Sequence, residues 1–151
     1  MLVPAATSPH PGSINAKVVR AGVLGIYECV LSPYIQEETR ETLQGPDFGL
    51  AIGEIDAKLA PLWSVARFLQ PVPFDDPALL RVVQGDRDDL PVFATGLAIY
   101  ADPFIAVDTE KFLVSNNSTD FTPGLKPFGI QFVTARQFWE LLERGKKAKF
   151  P

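Results

Sequence analysis

The sequence predicts an α/β fold in which a mostly parallel sheet is covered by helices on both faces. Short apolar runs typical of strands alternate along the chain with longer segments of helical period, and this alternation is typical of parallel sheets. The 151 residues are 46% hydrophobic and 21% charged, an ordinary balance for one globular domain of this length. No linker or internal repeat divides the chain, so we expect residues 1–151 to form a single domain.

Helix-start signals place two helices in the first third of the chain. Ser13 follows a turn-forming His-Pro-Gly segment and is predicted to cap a helix that ends near Gly22. Residues 27–31 then have the composition of a short strand. Ser32 is predicted to cap helix 33–44, because proline at the first helical position removes only an amide that has no partner there.

The middle of the chain is predicted to be mainly helical. Apolar positions in residues 52–69 recur with a period of 3.6, which indicates one long helix. Pro61 lies inside that segment, so a kink or a division into two helices is expected there. Residues 72–74, between prolines, are predicted to be a short strand. A further helix starts at residues 88–91 and runs to about Ala101.

Two strands and a last helix are predicted for the end of the chain. Residues 103–107 form an apolar run of the kind found in buried parallel strands, and that run ends directly at Asp108. Residues 130–133 read as the last strand. Thr134 and Gln137 then have the spacing of a capping box, which opens the final helix.

Charge and cysteine content narrow the functional classes. A net charge of −4 argues against a pure nucleic-acid-binding module. It argues less against a metal nuclease, whose acidic site is neutralised by the ion. The single cysteine, Cys29, allows no disulfide within the chain and no Cys-rich zinc site, so a reducing cytoplasm is expected. No apolar run is long enough for a membrane span, and the first residues lack the features of a signal peptide.

Three acidic residues stand where an α/β domain could gather them. Asp108 follows a predicted strand, Asp89 begins a predicted helix, and Glu38 lies in the first turns of the helix after strand 27–31. Sites in such sheets form at the carboxyl ends of strands, so the three can face one rim. Converging carboxylates repel one another unless a cation joins them. Mg²⁺ or Mn²⁺ is the ion that suits an all-oxygen site.

Each of these acids also has a purely structural interpretation. Glu38 lies in an acidic stretch that could be a solvated helix face. Asp89 could simply cap a helix and favour its dipole, and Asp108 could be a turn residue. The metal-site hypothesis therefore depends on one fold that brings all three acids to the same site.

Four segments resemble the motifs of PIN-domain proteins, in the family's order and spacing. Residues 32–43 resemble the second acidic motif, residues 85–92 the third and residues 106–112 the fourth, while residues 130–142 are similar to the closing strand and helix. The resemblance covers nearly the whole chain and implies a Rossmann-like three-layer α/β/α sandwich.

The resemblance also implies a function. Members of the family are Mg²⁺- or Mn²⁺-dependent ribonucleases, and many are the toxin of a toxin–antitoxin pair, silenced by an antitoxin that fills the site. It assigns Glu38, Asp89 and Asp108 as catalytic metal-site acids, with Asp86 and Asp88 as neighbouring acids. RNA is then the expected substrate, and an antitoxin protein the expected partner. The alternative is a catalytically inactive, degenerate PIN-like interaction protein.

The chain departs from the family pattern at its beginning. The family's first strand ends in Asp-x-Asn and supplies the first catalytic carboxylate, but residues 2–8 are similar to the segment that follows this motif. The resemblance therefore implies a domain without its first strand and first Asp. A start placed too late and a shortened, degenerate protein both remain open. Neighbours of an absent central strand would keep unpaired backbone groups and favour oligomerisation.

Overall fold

The chain has a mixed α/β architecture with short strands. The computed structural model describes residues 2–7, 10–83, 89–105, 108–115 and 125–149. The helices are α1 (Leu2–Thr7), α2 (Ile14–Val23), α3 (Pro33–Gln44), α4 (Ile52–Val65), α5 (Pro77–Val82), α6 (Leu90–Ala101) and α7 (Ala135–Lys149). The strands are β1 (Val30–Leu31), β2 (Arg67–Phe68), β3 (Lys111–Val114) and β4 (Ile130–Val133), and a 3₁₀ turn (Lys126–Phe128) precedes β4.

The two predicted serine caps are confirmed. Ser13 has extended backbone, and its hydroxyl oxygen accepts the amide of Ala16 at 3.3 Å. Ser32 does the same for Ile35 at 3.3 Å, with proline as the next residue. Both caps satisfy an amide that has no partner within the helix, so these helices begin where local chemistry places them.

The predicted last strand and the capping box after it are also confirmed. The Thr134 amide donates to Gln137 Oε1 at 2.9 Å, and the Gln137 amide donates to Thr134 Oγ1 at 3.2 Å. The strand before this box is β4, with the predicted bounds. The reciprocal pair satisfies two amides at the start of α7.

The predicted long helix is wrong at its end. Helix α4 runs through Pro61 as one segment rather than two, but it stops at Val65, and residues 67–68 form strand β2. The Arg67 amide donates to the Cys29 carbonyl at 2.8 Å. Pairing with β1, which is distant in sequence, overrides the helical pattern of these residues.

The strand predicted for residues 72–74 does not form. Pro73 within this segment and Pro71 just before it have no amide hydrogen to donate to a neighbouring strand. The Val72 amide donates to the Ala94 carbonyl at 3.2 Å, and the Asp76 amide closes a turn on the Pro73 carbonyl at 2.9 Å. Asp76 then caps the short helix α5, which the sequence pattern did not predict.

The strand predicted before Asp108 is also wrong over its described part. Residues 103–105 form a turn, while residues 106 and 107 lie outside the described ranges. The Phe104 amide donates to Asp102 Oδ1 at 2.8 Å, and the Ile105 amide donates to the Asp102 carbonyl at 3.2 Å. Phe104 is 85% exposed. The side chain and the carbonyl of Asp102 thus each accept a backbone amide that an extended strand would have offered to a neighbour.

The strands form two sheets of two parallel strands each. Strand β1 pairs with β2, and β3 pairs with β4. Strand β1 is shorter than the predicted segment 27–31, because its ladder covers Val30 and Leu31 alone. The parallel pairing agrees with the predicted α/β class, although the described strands do not join into one sheet.

Helices cover both faces of the β3–β4 sheet. Leu113 and Phe132 pack against the core formed with α5 and α6. Phe112 and Val114 pack on the opposite side with α2 and α7. Two further clusters join α1, α3 and α4, and place β1 against α2 and α4. In the ranges that the structure describes, no helix combines the length and the hydrophobicity needed to cross a membrane.

The cap of α3 can be tested because a matched serine lies elsewhere in the chain. Ser32 is fully buried and caps α3, whereas the exposed Ser64 hydroxyl donates to the Pro61 carbonyl. Ser32→Ala should lower the free energy of unfolding by about 1 kcal/mol, because one helix-end amide loses its acceptor. Ser64→Ala should change it by less than about 0.5 kcal/mol. Urea unfolding of both variants measures the difference, and equal losses would contradict the capping role.

Candidate functional site

A cavity lies between the two sheets. Its volume is about 840 Å³, within the usual range of about 300–1,000 Å³ for ligand pockets. Two of its walls are segments 26–31, which includes β1, and 109–115, which includes β3. Helices α3, α6 and α7 supply the other walls. The lining is mostly apolar.

Helix α3 carries the first predicted acid to this cavity. Ser32 starts the helix directly after β1, and positions at helical spacing, namely Ile35, Glu38, Thr39 and Thr42, line the wall. The Thr39 hydroxyl donates to the Ile35 carbonyl at 2.7 Å, so its polar atom is satisfied within the helix. Glu38 is exposed, so its carboxylate can contact solvent and dissolved ions.

Helix α6 carries the second predicted acid. Asp89 is the residue before the helix, as predicted, and its backbone is already helical, with φ −85° and ψ −3°. Its side chain forms no cap hydrogen bond and is half-buried. Val92, in the first turn of α6, lines the cavity, so Asp89 lies about one helical turn from the wall.

The third predicted acid, Asp108, lies before a strand and not after one. Asp108 is exposed in a turn that precedes β3, whereas the sequence predicted that it follows a strand. Thr109 and Glu110, the next two residues, line the cavity. The Lys111 ammonium donates to the Thr109 carbonyl at 3.0 Å, which places a positive charge at this rim.

Of the three predicted acids, Glu38 lines the cavity and Asp89 and Asp108 do not, and the three do not form one cluster. Across the described ranges, no group of three or more His, Cys, Asp or Glu side chains could hold a metal ion. Glu38, Asp89 and Asp108 are all described, so their role as joint metal ligands stays a prediction. Asp86 and Asp88 lie outside the described residues.

Several lining residues were not singled out from the sequence. Glu28 and Glu110 add two carboxylates to the wall. The Arg67 guanidinium forms an ion pair with Glu28, and its other nitrogen lies 3.9 Å from Asp102. Glu110 falls within the segment that resembles the fourth PIN motif, whereas no sequence signal distinguished Glu28 within its predicted strand.

Burial suppresses ionisation of two groups in the wall. It raises the pKa of the Cys29 thiol to about 11. Burial, and secondarily the charge of Cys29, raises the pKa of Tyr27 well above its usual range. The Tyr27 hydroxyl donates to the Val18 carbonyl at 2.9 Å, and its ring meets Phe138 edge-on with centroids 4.9 Å apart. Cys29 is therefore a neutral thiol near pH 7 and not an activated nucleophile.

A scan of protein-family models, a search of curated proteins and a search of solved structures each found no match to this chain. The resemblance to PIN-domain proteins therefore stays a prediction from the sequence motifs.

Cys29 is the only cysteine in the sequence, so thiol alkylation reports on this residue alone. With a pKa near 11, about 0.1% of the thiol is ionised at pH 8, against about 10% for an unperturbed thiol of pKa 9. Alkylation at pH 8 should therefore be at least about 100-fold slower in the folded protein than in urea. Equal rates in the two states would contradict the buried, neutral thiol.

The raised pKa of the Cys29 thiol also makes the free energy of unfolding depend on pH. The unfolded thiol loses its proton first, so the free energy of unfolding attributable to Cys29 is complete below pH 9 and declines as pH rises toward 11. The free energy of unfolding, measured across this pH range, should fall more steeply with pH in the natural chain than in Cys29→Ala. Parallel curves would show that the thiol makes no such contribution.

Proposed function

We propose that this chain is a PIN-like domain with a Rossmann-like three-layer α/β/α arrangement, and that it acts as a Mg²⁺- or Mn²⁺-dependent endoribonuclease. The observation that supports the proposal is that Glu38 lines the cavity, while Asp108 and Asp89 lie one and three residues along the chain from residues that line it. Glu38 lines it, Asp108 adjoins its Thr109–Glu110 wall, and Asp89 lies one turn before Val92. Helices on both faces of β3–β4 support the layered arrangement.

Divalent metal ions fit the donor chemistry of this site. Carboxylate oxygens are the ligands that Mg²⁺ and Mn²⁺ prefer, and Glu38, Asp89 and Asp108 would supply them. Such an ion supplies an activated water and stabilises charge on a phosphodiester. Because the described residues do not gather these acids into one group, no reaction step through the ion follows from the present arrangement.

The remaining parts of the proposal concern substrate, partners and location. Single-stranded or looped RNA is the proposed substrate, because its backbone is accessible. Lys111, at the cavity rim, is a basic residue near the acids that could contact a phosphate. An antitoxin-like protein and a second copy of the chain are the proposed partners. The cytoplasm is the proposed location, because a lone cysteine suits a reducing compartment.

A non-catalytic interaction protein is the second candidate. The observation that favours it is the apolar character of the cavity, which Val30, Phe112 and Val114 line beside two strand edges. Apolar concave surfaces bind apolar partners through the hydrophobic effect. In this case the acidic residues would contribute solubility and not metal binding.

Metal binding provides the first test of the nuclease proposal. Mn²⁺ titration followed by electron paramagnetic resonance should detect binding that weakens at least tenfold in each of Glu38→Gln, Asp89→Asn and Asp108→Asn, because each removes a charged ligand. Glu41→Gln is the matched control, since Glu41 is exposed on the same helix and outside the cavity wall. Unchanged affinity in all three variants would exclude the assigned site.

Cleavage of RNA provides the second test. The natural chain should cleave single-stranded RNA with Mg²⁺ or Mn²⁺ and lose that activity in EDTA. Each of the three acidic variants should reduce the rate by about 100-fold or more, while the exposed Asp75→Asn should leave it unchanged. Absence of cleavage by the natural chain, together with intact folding, would favour the interaction protein.

A further inference from the structure

Half of the basic residues in the sequence lie on two helices that pack against each other. Helices α2 and α7 carry seven of the 14 Lys and Arg residues but two of the 18 Asp and Glu residues. Val18 of α2 packs with Phe138 of α7 in one apolar cluster, which holds the two helices together. A basic helix pair is thus part of a chain whose net charge is −4.

A direct contact brings charge from α2 onto α7. The Lys17 ammonium lies over the Trp139 ring, 5.8 Å from the ring centroid. Arg20 follows Lys17 by three residues, and Arg136 precedes Trp139 by three, so each lies one helical turn from this contact. All three basic residues are exposed. We call the surface formed by Lys17, Arg20 and Arg136 the α2–α7 basic face.

Neighbouring acids do not neutralise this face. Neither Arg20 nor Arg136 forms an ion pair with a residue that the structure describes. The two acids of α7 are Glu140 and Glu143, and both are exposed. Glu140 lies 3.9 Å from Arg144, but side chains that are 51% and 75% exposed form a weak pair in water. The face therefore keeps an excess of positive charge.

Helix stability does not explain where these charges lie. The helix dipole favours basic residues in the last turn of a helix and disfavours them in the first. Lys17 is the fourth residue of α2 and Arg136 is the second residue of α7. Both charges are at the unfavourable end, and neither helix has an acid in its first turn. Their positions suit an anion outside the helices and not the helices themselves.

Helix α7 extends the basic sequence beyond this face. The last four residues of the helix include Lys146, Lys147 and Lys149. A helix of 15 residues is about 22 Å long. Over that length, one strand of B-form DNA has about six phosphates. The helix pair is therefore long enough to contact several phosphates of one strand.

The composition of the face identifies the class of anion. A membrane or a protein partner is bound through exposed apolar groups beside the charges. The apolar side of α7 is already used, because Phe138, Trp139 and Leu142 pack in the cluster with α2. Leu141 is the exposed large apolar residue of the described part of α7, at 38%. Interfaces with nucleic acids are instead polar and rich in Lys and Arg.

We propose that the α2–α7 basic face binds the phosphodiester backbone of a nucleic acid without reading its sequence. Lys17, Arg20 and Arg136 contact phosphates, which carry no sequence information. None of these residues lines the cavity between the sheets. The inference goes beyond the proposed cleavage, since it needs neither a metal ion nor the three assigned acids.

Binding of oligonucleotides to the whole chain tests the proposal. The probes are fluorescent oligo-dT and oligo-rU strands of about 20 nucleotides, added in EDTA so that metal-dependent cleavage plays no part. Fluorescence anisotropy should show saturable binding that weakens as salt rises, because counterions are released from the phosphates. The two affinities should agree within about threefold, because backbone contacts do not read the base.

Matched double variants assign the binding to the face. Arg20→Gln combined with Arg136→Gln removes one charge from each helix. At low salt it should weaken binding about fivefold or more, and it should reduce the slope of log K against log salt concentration by about 1.4. Lys58→Gln combined with Arg81→Gln is the control, because these exposed residues lie on α4 and α5. It removes the same charge and should change the affinity by less than about twofold.

A conservative variant separates charge from folding. Arg20→Lys combined with Arg136→Lys keeps both charges and should bind within about threefold of the natural chain. The melting temperature of the Gln variant should not fall, because neither arginine has an ion pair to lose.

Three results would overturn the proposal. The first is no saturable binding by the natural chain at low salt. The second is equal weakening in the control variant, which would show a general charge effect and not a specific face. The third is a dimer, seen by sedimentation, that dissociates when Arg20 and Arg136 are changed to Gln. That result would assign the face to the acidic surface of a second copy.

Discussion

The fold depends on backbone hydrogen bonding between parallel strands, which occur in two pairs within the described ranges. Each strand in a two-stranded sheet satisfies one edge and leaves the other open, and open edges in an interior carry a cost unless water or protein groups bond them. The β3–β4 ladder is the more extensive of the two, with four residue pairs covered by helices on both faces. The two pairs of β1–β2 depend more on packing against α2 and α4. The cavity between them follows from this division.

The cavity combines a few charged residues with a mostly apolar lining. Glu28, Glu38 and Glu110 belong to its wall, whereas most of the lining consists of apolar side chains. Glu38 is on the helix after β1, and Asp108 precedes β3. Different elements of the fold therefore position these two carboxylates.

Local signals predicted helix starts well and strands less well. Ser13, Ser32 and the Thr134–Gln137 pair act on amides three residues away, so a short stretch of sequence contains both partners of each bond. The assignment of residues 67–68 as helix failed because β2 forms through a bond to Cys29, which no local pattern indicates. The strand predicted over residues 103–107 was wrong in its described part, because Asp102 accepts the Phe104 amide and closes a turn there.

The sequence by itself determined the α/β class, the caps of α2, α3 and α7, and the position of Glu38 on the helix that follows β1. It also placed Asp89 at the start of α6, because Pro91 in the first helical positions favours a helix start there. Only the tertiary structure decided that Asp108 precedes its strand, that β1 and β3 are not paired, and that a cavity lies between them. The reason is physical: strand pairing joins residues far apart in the chain, and side-chain patterns do not specify which edge receives a partner.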